Sequence, residues 1–124
     1  MSALERVDIL LCRRVVVKGG GIHLAYVGHA VHADTPFPFT LRRVAVYVQV
    51  RGRPPSGSMF VQVVSPEGSV IATDHLPRPS ADRSGIGETW VEATAVAFPK
   101  PGLYSVRVFA GDMLLGDTFL LVLP

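Results

Sequence analysis

The steadiest alternation of apolar and polar positions in the chain runs through "TLRRVAVYVQVRG", residues 40–52. Val44, Val46, Val48 and Val50 fall on one side of an extended backbone, and Arg43, Ala45, Tyr47, Gln49 and Arg51 on the other. Successive side chains of a strand point to opposite faces, so this period of two predicts a half-buried strand in an antiparallel sheet. Shorter segments of the same character occupy 7–17, 22–31, 58–64, 69–73, 89–98, 103–110 and 113–123. Turn-forming residues separate them. "KGGG" (18–21) joins the first two segments as a hairpin, and "SPEG" (65–68) places proline second in a type I turn. "HADTPFPF" (32–39), "RPPSG" (53–57), "PKPG" (99–102) and "GD" (111–112) mark further breaks, and 74–88 reads as the long loop.

No 11-residue window carries the i, i+3, i+4, i+7 apolar pattern of a helix without a turn signal inside it. About eight strands in one layer would leave an apolar face in water. The expectation is therefore an all-β fold, a two-sheet antiparallel β-sandwich forming a single domain over 1–124, with a closed barrel as the competing arrangement.

The last segment departs from alternation. In "FLLVL" (119–123), Phe119, Leu121 and Leu123 lie on one face while Leu120 and Val122 lie on the other. Such a strand is either covered twice, or its outer face meets another chain. "LLCRRVVV" has a similar apolar excess, and Val91, Ala93, Ala95 and Ala97 form a face small enough for close approach by another layer.

Composition narrows the function. At 48% apolar residues in 124, the chain can build a core and is not intrinsically disordered. The net charge of +2 is too small to predict nucleic-acid binding. The face of Arg43, Tyr47 and Arg51, flanked by Arg42 and Arg53, interleaves a single aromatic and reads as a solvated outer surface. There is no apolar signal core near the start and no run of about 18 apolar residues, so a cytoplasmic protein without membrane contact is expected. Cys12 is the sole cysteine, which excludes an intramolecular disulfide, and it reads as a small buried hydrophobe.

"AFPKPGLYSVRVFAGDMLLGDTFLLVLP" (97–124) resembles the C-terminal half of immunoglobulin-like and related bacterial β-sandwich domains, with a phenylalanine, a Pro-Gly turn, a tyrosine opening a strand, a short turn and a final strand. The whole chain also looks like a small family of uncharacterised bacterial domains, through its "Leu-Cys" strand, glycine turn and second strand. The resemblance implies a sandwich fold and brings no catalytic residue with it.

Candidate chemistry is sparse. His29, His32 and Asp34 lie within six residues in "GHAVHAD", but His29 and His32 face opposite ways unless the strand ends between them. His23 and His29 are too far apart along a strand to share one metal. His75, Ser80, Asp82 and Ser84 could supply a hydrolytic set, yet the loop lacks rigid supports and a G-x-S-x-G elbow. Glu88 and Glu92 flank Trp90, and paired carboxylates near an aromatic can serve glycoside hydrolysis. An exposed tryptophan with an acid could instead contact a partner or a sugar ring, against the default of a tryptophan packed at the sandwich edge. "KGGGIH" lacks phosphate-loop spacing. The sequence thus predicts a non-catalytic protein-interaction or assembly module without a cofactor, joined to a protein partner or to copies of itself. Its contact residues would be Phe119, Leu121, Leu123, Tyr47 and Trp90. The alternatives are a metal or small-ligand site at His29, His32 and Asp34, and a structural subunit of a homomeric assembly.

Overall fold

The computed structural model describes residues 3–124, the side chain of Thr94 excepted. Among the described residues there are ten strands and no helix: β1 (Arg6–Cys12), β2 (Arg14–Lys18), β3 (Gly21–Ala25), β4 (Ala30–His32), β5 (Phe39–Arg51), β6 (Met59–Val64), β7 (Val70–Leu76), β8 (Ile86–Phe98), β9 (Gly102–Ala110) and β10 (Met113–Leu123). The all-β expectation holds. The strand count rises from eight to ten because each of the first two predicted segments breaks in two. Segment 7–17 bends at Arg13 into β1 and β2, and segment 22–31 is interrupted between Ala25 and Ala30.

The strands form a three-stranded sheet in the order β1-β5-β8, a five-stranded sheet in the order β4-β10-β9-β6-β7, and the two-stranded hairpin β2-β3. Only β4 pairs parallel, to β10; the other ladders are antiparallel. One apolar core lies between the two larger sheets. Val46, Val48 and Val50 of β5 and Val96 and Phe98 of β8 supply one side; Met59, Val61, Tyr104, Val106, Val108, Leu120 and Val122 supply the other. Burying such side chains contributes roughly 1.5–3 kcal/mol each, which offsets the entropy of ordering the strands.

The alternation in β5 behaves as predicted from Val44 onward and fails before it. Phe39 and Leu41 are buried, so the inward parity switches between Leu41 and Val44. β8 makes the same switch, because Ala95 adopts φ 61°, a left-handed conformation uncommon for a residue with a side chain. Val91 and Ala93 therefore pack against the core, as do Val96 and Phe98, while Ala95 and Ala97 are exposed. The continuous small-residue face through Ala95 and Ala97 expected from alternation does not form.

The hairpin β2-β3 turns at Gly19 and Gly20, whose φ values of 59° and 76° suit the primed turns that match strand twist. It folds back over the outer face of the three-stranded sheet. There Ala45 and Tyr47 are buried although they point away from the core, and Ile22 and Leu24 of the hairpin share a cleft with Leu10, Tyr47 and Gln49. The "SPEG" turn is present, with Gly68 N–H donating to Ser65 O at 2.9 Å. No helix of the described residues is long and apolar enough to cross a membrane.

Candidate functional site

The outer face of the five-stranded sheet carries the most concentrated exposed apolar surface. In β10, Leu120 and Val122 point into the core, which sends Phe119 and Leu121 outward at 51% and 37% exposure. The β9–β10 register sets Leu121 opposite Leu103 and Phe119 opposite Ser105. Leu103 is half exposed. Further along, Leu114 stands opposite Phe109, and Phe109 opposite Phe60 of β6, the two rings stacked at 5.1 Å and 9°. Between these apolar rows runs a polar one, in which Asp117 faces Arg107 and Arg107 faces Gln62. Neither Asp117 nor Arg107 makes an ion pair among the described residues.

This answers the question raised by "FLLVL". The strand is interior to its sheet, between β4 and β9, with one face in the core and the other uncovered. Leu123 is half-buried and pairs with His32 of β4, at the rim of the same surface. Leu103, Leu114, Phe109 and Phe60 were not singled out from the sequence. Each lies in an ordinary alternating or apolar run, and only the pairing of strands distant in sequence brings them into one patch.

Tyr47 and Trp90 belong elsewhere. They are cross-strand neighbours in the three-stranded sheet, Leu10–Tyr47–Trp90 forming one row on its outer side. Tyr47 is buried beneath the hairpin and donates its hydroxyl to Glu88. Burial, then the Glu88 hydrogen bond and charge, push its phenol up to about 12. A ring so covered presents no open face to a partner, so the exposed Arg43 and Arg51 have no stacking ring between them. Trp90 is half-buried.

The histidine cluster disperses. His29 Nδ1 donates to the Phe119 carbonyl at 3.0 Å, which fixes that ring against β10. His32 is exposed in β4 and Asp34 is exposed in the loop after it. Among the described residues no three His, Cys, Asp or Glu side chains converge as a metal would require. Asp82 and Ser84 do meet in the 77–85 loop. There the Asp82 carboxylate accepts from the Ser84 hydroxyl, from Ser84 N–H at 2.8 Å and from Ile86 N–H at 3.3 Å. These bonds hold it below the usual carboxylate range, as expected of a turn-forming aspartate. Cys12 is buried, its thiol 3.8 Å from the Ala45 carbonyl, and burial with the nearby Glu92 charge raises its pKa. A thiol kept protonated is a poor nucleophile.

No family model matches the chain, and no curated protein matches it either.

Proposed function

We propose that this protein is a non-catalytic assembly module that joins a second copy of itself through the outer face of the five-stranded sheet. The observation that carries the reading is the self-complementarity of the β9–β10 register. A two-fold axis parallel to the strands and midway between β9 and β10 lays β10 of one copy over β9 of the other. Every residue of β10 then sits over its own register partner from the second chain. Leu121 meets Leu103, bulky Phe119 meets small Ser105, and Asp117 meets Arg107, each contact occurring twice. An interface of this kind is isologous, so one patch suffices for both partners.

The surface is of the order expected of a weak contact. β4, β10, β9 and β6, of 3, 11, 9 and 6 residues at about 3.3 Å each and about 4.8 Å apart, offer on the order of 450 Å² per copy. About 900 Å² in total lies among the small, transient interfaces, below the roughly 1,200 Å² of stable specific ones. The expected dimer is therefore reversible at micromolar concentration. The opposite outer face is less suited, because the β2-β3 hairpin already covers it.

The fold within this reading is an immunoglobulin-like sandwich. Two features support it. The first is the division into β1-β5-β8 and β4-β10-β9-β6-β7. The second is Tyr104 at the start of β9, whose hydroxyl reaches back to the Lys100 carbonyl at 2.6 Å in the manner of a tyrosine corner.

Sedimentation velocity at about 50 µM tests the assembly. The wild-type chain should sediment at twice 13.3 kDa. Leu121→Asp should be monomeric, and Val17→Asp, an equally disruptive change at an exposed valine of the hairpin, should remain dimeric. A wild-type monomer would overturn the proposal.

A further inference from the structure

A second surface, bordering the assembly face at its β4 edge, has the composition of a ligand site. An open cleft of about 810 Å³ lies where the bend between β1 and β2, the 26–31 segment and the start of β5 come together. Its size falls within the range of small-molecule sites. Arg13 and Arg14 line it from the bend, and Arg42 and Arg43 from β5. Val31, Leu41 and Leu120 close its base, while Tyr26, Val27 and Val44 supply apolar wall.

Three observations make this more than a solvated cluster of charge. First, none of the four guanidinium groups has a hydrogen-bond or ion-pair partner among the described residues. Arg51, Arg53, Arg83 and Arg107 are unpaired among the described residues as well, whereas Arg78 donates to the carbonyls of Pro54, Pro55 and Gly57 and Arg6 pairs with Asp8 at 3.0 Å. What sets the four apart is that they line one cleft. The neighbouring carboxylate, Glu92, already accepts from Val15 N–H. No Asp or Glu lines the cleft.

Second, Arg42 and Arg43 occupy the place where β5 changes parity. The β5–β8 register pairs Leu41 with Val96 and then Arg43 with Thr94, passing over Arg42 and Ala95. In unbroken alternation two adjacent arginines would diverge to opposite faces. The irregularity lets both border one cavity.

Third, the two non-glycine residues with positive φ among those described are Tyr26 and Ala95. Tyr26 lines the cleft, and Ala95 lies across the ladder from Arg42. Backbone held in this sparsely populated region is strained, and such residues concentrate at ligand sites. Tyr26 is 82% exposed and lines the same cleft as the arginines.

We propose that the cleft binds a small organic anion, a molecule with a phosphate or carboxylate head and an apolar or planar body. The guanidinium forks match an oxyanion through paired charge-assisted hydrogen bonds. The body would lie against Tyr26 and Val27. A single aromatic and a closed base favour a small molecule over a nucleic-acid strand, whose recognition needs a continuing groove with several stacking rings.

The test is titration of isotope-labelled protein with phenyl phosphate, read by amide chemical shifts, alongside benzoate and inorganic phosphate. Saturable shifts confined to 11–14, 26–31 and 41–44 are expected with phenyl phosphate or benzoate, and whichever of the two binds tighter identifies the head group. Inorganic phosphate should bind about tenfold more weakly, since it leaves the apolar wall uncovered. The double variant Arg13→Ala/Arg42→Ala should weaken binding at least about tenfold. Arg51→Ala/Arg83→Ala removes the same charge outside the cleft and should stay within about twofold. All four positions are exposed, and equal thermal midpoints would show that the variants fold. Equal weakening in both double variants, or no confined shifts up to about 10 mM, would overturn the site. So would a confined response to a single-stranded oligonucleotide alone.

Discussion

Val15 donates its backbone N–H to Glu92 Oε1 at 3.1 Å, a bond between residues 77 apart in sequence. It fastens the β2-β3 hairpin to β8, at one edge of the three-stranded sheet that the hairpin covers. A two-stranded hairpin is marginal by itself and needs such an anchor together with the apolar contacts of Ile22 and Leu24. Glu92→Ala should raise amide exchange throughout Arg14–Ala25 by about fivefold, corresponding to about 1 kcal/mol of lost hydrogen bonding, with the core strands unaffected. Glu92→Gln retains the acceptor and should exchange as wild type. Unchanged exchange in Glu92→Ala would show that packing alone holds the hairpin.

The same covering has a consequence for alkaline pH. The Tyr47 phenol is raised to about 12 in the folded state, from its ordinary 10. A raised folded pKa means that the stabilisation is whole below pH 10, where the phenol is protonated in both states. It is lost as pH rises through 10 toward 12, because the unfolded chain ionises first. The phenolate absorbance difference between wild type and Tyr47→Phe isolates this group and should show a midpoint near 12. Glu88→Gln removes the facing charge and should move that midpoint toward 10. A wild-type midpoint at 10 would contradict the buried placement of Tyr47.

Tyr104 ties the turn before β9 to the core. It is fully buried, donates to Lys100 O at 2.6 Å and accepts from Lys100 N–H at 3.4 Å. Tyr104→Phe keeps the ring, which packs edge-on to Phe98 at 4.9 Å, and removes both bonds. The expected cost is about 1–2 kcal/mol, seen as a lower denaturant midpoint at unchanged slope. Stability equal to wild type would mean that the hydroxyl is dispensable at this corner.

What the sequence disclosed was local. The "KGGG" and "SPEG" turns, the Pro-Gly turn before Tyr104 and the alternation from Val44 to Val50 depend on neighbouring residues, and each could be read directly. The bend at Arg13 could not, because "LLCRRVVV" is uniformly strand-forming and contains neither glycine nor proline. It breaks because one half pairs with β5 and the other with β3. Alternation puts Tyr47 on the outer face, and its burial there arises from a hairpin 20 or more residues earlier. The parity switch at Ala95 left no signal, since alanine is not a residue that announces positive φ. For the candidate assembly face, Phe119 and Leu121 were legible from the doubled apolar pattern of the last strand. Leu103, Arg107 and Asp117 acquired meaning only from the β9–β10 register.

That register supplies the most direct test of the proposed assembly. Asp117→Arg and Arg107→Glu each place like charges across the predicted dyad, twice per dimer. Mixing the two variants allows a heterodimer in which one crossing is the native Asp117–Arg107 pair and the other is its reversed counterpart. Each variant alone should sediment as a monomer, and an equimolar mixture should sediment as a dimer. Dimers from either variant alone, or a mixture that stays monomeric beside a dimeric wild type, would contradict a β9-over-β10 interface.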